Sequence, residues 1–100
     1  MKERPMKERP VVVTTDKDKR GVFFGYTDQP ADSAIITLKQ ARMIVYWSAE
    51  TRGVLGLASI GPQKGSRVTP PVPSITLQGV TAVMEMTSEA VKQMESVKWS

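Results

Sequence analysis

Apolar and polar residues alternate with a period of two along most of this chain, and the alternation is broken repeatedly by Gly, Pro, Asp and Ser. The β-branched run Val11-Val-Val-Thr-Thr15 predicts a short strand closed by a charged turn, Asp16-Lys-Asp-Lys-Arg20. In Gly21-Val-Phe-Phe-Gly-Tyr26, Val22, Phe24 and Tyr26 share one face and Phe23 takes the other, as in a strand with a core side and a second, partly covered side. Gly21 and Gly25 suggest a bulge or tight bend. Asp28-Gln-Pro-Ala-Asp-Ser33 has turn chemistry and leads to Ile35-Ile-Thr-Leu38, so a hairpin is the simplest connection. After a Lys39-Gln40 break, Ala41 to Trp47 places Met43, Val45 and Trp47 on one face and Arg42, Ile44 and Tyr46 on the other. A strand apolar on both faces suits the centre of a sheet or an oligomer interface.

Ser48 has the hydroxyl to cap a short helix over Ala49 to Ser59, with Glu50 in its first turn. Gly53 and Gly56 weaken that helix, and Val54, Leu55 and Leu57 also suit a strand, so residues 49–59 are readable either way. Gly61 to Pro73 contains four prolines and two glycines, which predicts a loop long enough to carry function. Ser74 to Gln78 alternates, Gly79 marks a turn or bulge, and Val80 to Met86 reads as a strand with Val80, Ala82, Met84 and Met86 on one side. Two adjacent strands or one kinked strand fit this stretch equally. Thr87 predicts an N-cap, and Ala90, Val91, Met94 and Val97 form a helical stripe that docks on the sheet, with Trp99 anchoring its end. Met84, Met86 and Met94 read as adaptable core filler. The expected fold is therefore α+β and mainly β: a small curved antiparallel sheet or SH3/Sm-like partial barrel, a short mid-chain helix and a C-terminal helix.

Met1 to Pro5 is repeated identically as Met6 to Pro10. Five polar residues cannot bury a core, so residues 1–10 are expected to be a flexible tail and residues 11–100 a single β-rich domain. A chain of 100 residues supports one modest core. No apolar stretch approaches the roughly 20 residues of a membrane-spanning helix, and the polar N-terminus is unlike a secretory signal, so cytoplasmic residence is expected. The absence of Cys and His excludes disulfides, Cys/His metal sites, Cys nucleophiles and His-based acid–base catalysis. No cofactor or metal is expected.

The net charge is +4. Half of it falls in the first ten residues, where Lys2, Arg4, Lys7 and Arg9 face Glu3 and Glu8, so the remainder is only mildly basic. Within it, Arg52, Lys64 and Arg67 occur with no acidic residue from Thr51 through Gln78, which makes a local cationic surface a candidate. Gly61-Pro-Gln-Lys-Gly-Ser66 fails as a Walker loop, because Lys64 precedes Gly65. The weaker reading is an anion site formed by Arg52, Lys64, Gly65, Ser66 and Arg67. Tyr46 and Trp47, following Arg42, are candidates for base stacking or for an interface, against the competing need of a chain with six aromatics to use them in its core. The carboxylates Asp16, Asp18, Asp28, Asp32 and Glu50 lie mainly in turns, and nothing pairs them for acid–base work, so a non-enzyme is expected.

Taken together, Val11-Val-Val-Thr, Gly21-Val-Phe-Phe-Gly25, Ile36-Thr-Leu-x-x-Ala-Arg42, Val45-Tyr-Trp47, Gly56-Leu-Ala58, Gly61, Ser66-Arg67, Pro71-Val-Pro-Ser-Ile-x-Leu77, Val80-Thr-Ala-Val, Thr87 and Glu89-Ala90 resemble a family of small uncharacterised bacteriophage and prophage proteins. That family is known only as a domain of unknown function. The resemblance covers almost everything after the repeat. It implies a phage setting, hence the host-cell cytoplasm or the virion, and transfers no catalytic residue. A fainter likeness to Sm-like and SH3-like small barrels rests on the spacing Gly21 to Gly25 and Ile36 to Ala41, and supports a bent sheet more than RNA binding. Three functional expectations follow. The first is a non-catalytic accessory protein, homo-oligomeric, engaging a host protein or a small anionic ligand. The alternatives are a nucleic-acid-binding small barrel and a virion structural or scaffold component.

Overall fold

A computed structural model of the chain describes residues 8–15 and 21–97. Six strands and two helices follow in the order β1 (Arg9–Thr15), β2 (Gly21–Thr27), β3 (Ile36–Tyr46), a 3-10 turn (Ala49–Thr51), α1 (Gly53–Ser59), β4 (Arg67–Val68), β5 (Val72–Leu77), β6 (Val80–Glu85) and α2 (Ser88–Ser96). Every strand pairing is antiparallel. The sheet runs β4-β3-β2-β1-β6, and β5 also pairs with β3. The expected mainly-β fold with two helices is the one observed.

The curvature of this open sheet follows from one short link. Leu77 pairs with Ile36 on β3 and Val80 pairs with Thr15 on β1, yet only Gln78 and Gly79 separate them. Three Cα steps reach at most about 11 Å, whereas the four strand spacings across a flat β5-β3-β2-β1-β6 row need about 19 Å. The sheet must curl until its two sides approach. Gly79, at φ 68, supplies the kink. β5 and β6 are thus two strands with different partners.

Curling gives the sheet two cores. Val11, Val13, Ile36, Leu38, Ala41 and Leu77 come only from strands, and Phe23, Ile75, Val80 and Val83 pack against them inside the curl. Val12, Phe24, Ile44 and Val68 on the other face pack with Leu57 and Ala58 of α1 and Met94 of α2. The alternation in β2 is as its sequence predicts: Val22, Phe24 and Tyr26 face the helices and Phe23 faces inward. Met94 is fully buried, and Met84 and Met86 pack beside it as core filler.

Several local expectations are corrected. Arg9 and Pro10 belong to β1 rather than to a tail, and Glu8 reaches Lys39 at 3.2 Å while Arg9 reaches Glu85 at 3.1 Å. Residues 35–47 do not form two strands around a break. β3 runs continuously from Ile36 to Tyr46, because Gln40 takes a left-handed conformation (φ 54) and absorbs the register shift against β2 as a bulge. A second shift, between Ile44 and Tyr46, ends the alternation there, so that Trp47 joins the helix-side core and Tyr46 is exposed. In β6 a shift opposite Thr14/Thr15 puts Val80 inside the curl while Met84 and Met86 face the helices, not the one shared side expected.

Residues 49–59 are helical but broken: Arg52 is left-handed (φ 69) and separates the 3-10 turn from α1. Ser48 occupies the N-cap position without capping through its side chain. Gly61 to Pro73 is less loop than expected, since β4 and the start of β5 lie within it. By contrast Thr87 caps α2 as predicted, its Oγ1 accepting from the Ala90 N–H at 3.0 Å. The Asp16 to Arg20 turn and Trp99 lie outside the described residues, as does the repeat up to Lys7.

Candidate functional site

The residues singled out between 46 and 67 are brought to one seam. Tyr46 ends β3, is 56% exposed and pairs with Arg67 of β4. Trp47 is half-buried against the helix-side core, which makes it a packing residue. The Ser66 hydroxyl accepts from the Ser48 N–H at 3.1 Å and lies 3.4 Å from Thr51 Oγ1, while its own N–H donates to the Gln63 carbonyl at 3.0 Å. Thr51, fully buried, accepts from the Gln63 N–H at 3.0 Å. Ser66 therefore closes a turn and stitches it to the 3-10 segment. Gly65 makes that turn with φ 95, a conformation unfavourable for other residues. Arg52 and Lys64, next in sequence to residues of this hydroxyl knot and its turn, are exposed.

A groove of about 740 Å³ lies elsewhere, between the sheet and the end of α2. Phe24, Pro70, Pro71 and Val97 provide apolar walls, and Tyr26, Gln40, Arg42 and Glu95 add polar groups. Its shape depends on Arg42, only 7% exposed on the helix face of β3. The guanidinium donates from Nε to the Thr69 carbonyl, from Nη1 to the Met94 carbonyl and from Nη2 to the Val97 carbonyl, each at 2.6 Å; Nη2 also lies 3.5 Å from the Val68 carbonyl. One side chain thus ties the last turn of α2 to the segment leaving β4. A cation suits that place, because the carbonyls at a helix C-terminus carry partial negative charge and have no helical N–H partners. Burial lowers the proton affinity of the guanidinium, and the nearby Glu95 carboxylate acts in the opposite sense.

At the mouth of the groove, Tyr26 Oη donates to Glu95 Oε2. Burial first, and then the hydrogen bond and charge of Glu95, push the Tyr26 phenol up to about 12, so it stays a proton donor at neutral pH. Phe24 meets the Tyr26 ring edge-on with centroids 5.5 Å apart, which fixes the ring beneath Glu95. Among the described residues, no buried side-chain nitrogen or oxygen lacks a partner, and no group of three or more acidic side chains converges as metal ligands would. No helix among them is long and apolar enough to cross a membrane.

None of the residues around the hydroxyl knot lines this groove, and reading the sequence did not single it out. The one local signal was Arg42 sharing a strand face with Ile44, a cation where an apolar residue is expected.

No curated protein and no solved structure matches the chain. A family model described as a domain of unknown function (DUF6948) matches residues 8–94, almost the whole chain, and the protein belongs to that family.

Proposed function

We propose that the protein is a non-catalytic accessory binding protein, active in a phage-infected or prophage-bearing cell, and that the groove between Pro70-Pro71 and the end of α2 holds its ligand. The observation carrying this reading is the groove itself. Its volume falls in the range of ligand sites, its walls are apolar and aromatic, and it carries few polar groups, of which Arg42 is bonded to backbone carbonyls and Tyr26 to Glu95. Titrating the protein with a small-molecule fragment library under two-dimensional amide NMR tests it. Shifts should cluster on Tyr26, Gln40, Arg42, Glu95 and Val97. A screen that moves none of these, or moves only residues 63–67, overturns it.

Self-association is part of the same proposal. Met43, Val45, Tyr46 and Val72 are large and exposed on or beside the same edge of β3, a pattern that suits a subunit contact or a host protein. A strictly monomeric mass by light scattering would remove the subunit contact.

Nucleic-acid binding is the second reading, favoured by one observation: the exposed Tyr46 ring stands on the strand pair that also carries exposed Arg67. A fluorescent oligothymidylate tests it. Binding should weaken with added salt and on Tyr46→Ala; affinity indifferent to both rejects this mode.

A further inference from the structure

The two charged residues of the groove differ in what they offer a ligand, and the difference selects a ligand class. Arg42 is enclosed, and its Nε, Nη1 and Nη2 are directed at the carbonyls of Thr69, Met94 and Val97. With a longer contact from Nη2 to the Val68 carbonyl, these bonds engage four of its five N–H groups, and the residue is only 7% exposed, so a ligand carboxylate or phosphate finds little of the guanidinium left to bind. Glu95 is exposed on the last turn of α2, with one carboxylate oxygen accepting from Tyr26. Tyr26 thus holds a carboxylate at the rim of a groove whose other walls are largely apolar.

We infer that this groove, if it is the binding site proposed above, takes a small aromatic molecule bearing a protonated amine, its ring against Phe24, Pro70 and Val97 and its ammonium at Glu95. The occupant is a small molecule because the volume fits one, and it is cationic by charge complementarity with the one accessible charge. This differs from the anionic ligand that the basic residues around Lys64 suggest.

Three near-isosteric probes separate the possibilities: 2-phenylethylamine, 2-phenylethanol and phenylacetate, each titrated into the full-length protein by amide NMR. The amine should bind tightest and phenylacetate weakest, with a ratio of about tenfold for a partly desolvated charge pair. Glu95→Gln keeps an acceptor for the Tyr26 hydroxyl, so the variant should fold, and it should bring the amine-to-carboxylate ratio near unity while leaving 2-phenylethanol within about twofold. Tyr26→Phe leaves the carboxylate in place and should preserve the preference. Phenylacetate binding as tightly as the amine, or an amine preference that survives Glu95→Gln, overturns the ligand class while leaving a groove that binds. If none of the three shifts the groove amides, the ligand class and the binding-site reading fall together.

Discussion

In the seam between residues 46–52 and 63–67, the buried polar groups are short hydroxyls: Ser48, Thr51 and Ser66 satisfy one another and two backbone N–H groups, and the basic side chains Arg52 and Lys64 stand outside in solvent. At the groove the arrangement is reversed. A long cation, Arg42, goes inside and gathers carbonyls from two elements, while the small exposed feature is a carboxylate. Both regions join distant pieces of chain with buried polar contacts. They differ in what is left facing water: exposed cations at the seam, and at the groove an apolar hollow with a carboxylate at its rim. Where a basic residue falls along the chain therefore says little about recognition until its burial is known, because a cation that already holds the fold together is withdrawn from ligands.

The largest expected effect strikes the groove. Arg42→Met strands the Thr69, Met94 and Val97 carbonyls and should lower stability by about 3–4 kcal/mol in urea unfolding. Amide exchange should speed first in α2. A loss below about 1 kcal/mol would mean that water replaces the guanidinium without penalty and would dissolve the contrast.

Gly61, just after α1, packs against α2. Its φ is 85, and a Cβ there would sit 2.5 Å from Gln93 Cβ and 2.9 Å from the Ala90 carbonyl oxygen. Gly61→Ala should cost about 2–3 kcal/mol by pushing α2 off α1, seen as a lower denaturation midpoint. At the seam, Thr51→Val removes the acceptor of the Gln63 N–H from a fully buried position and should cost about 1–3 kcal/mol.

Tyr26→Phe should be milder, about 1 kcal/mol at neutral pH for one hydrogen bond. Its signature is pH dependence. The folded protein holds the phenol proton up to about 12, whereas the unfolded chain releases it near 10.0. The contribution is therefore complete below pH 10.0 and is lost as pH rises from there to about 12. Unfolding free energies of wild type and Tyr26→Phe should converge across that window; parallel curves would contradict the pairing. The smallest effect belongs to the exposed cation: Lys64→Ala should change stability by less than about 0.5 kcal/mol. A larger loss would show that the seam, like the groove, uses a cation structurally.

Much of the fold was legible because it is local. The Thr87 cap needs only a hydroxyl three residues before an N–H, and the alternation of Val22, Phe23 and Phe24 is a property of consecutive side chains. The reading failed where a bulge shifted the period, as at Val80 and at Tyr46 and Trp47, since one extra residue swaps the faces of all that follow and leaves no compositional trace. The groove was illegible for a different reason. Arg42 was visible as a cation beside Ile44, but its carbonyl partners lie between 26 and 55 residues away.

From the chain alone came the strand-rich character, the C-terminal helix with its capped start and the exclusion of thiol and imidazole chemistry, because each depends on neighbouring residues or on composition. Only the tertiary structure decided that β5 and β6 draw the two sides of the sheet together, that Arg42 is inside and Tyr46 outside, and that an apolar hollow opens beside α2. Those outcomes depend on how far a two-residue link can reach and on which carbonyls come within reach of one guanidinium, distances that exist only once the sheet has curled.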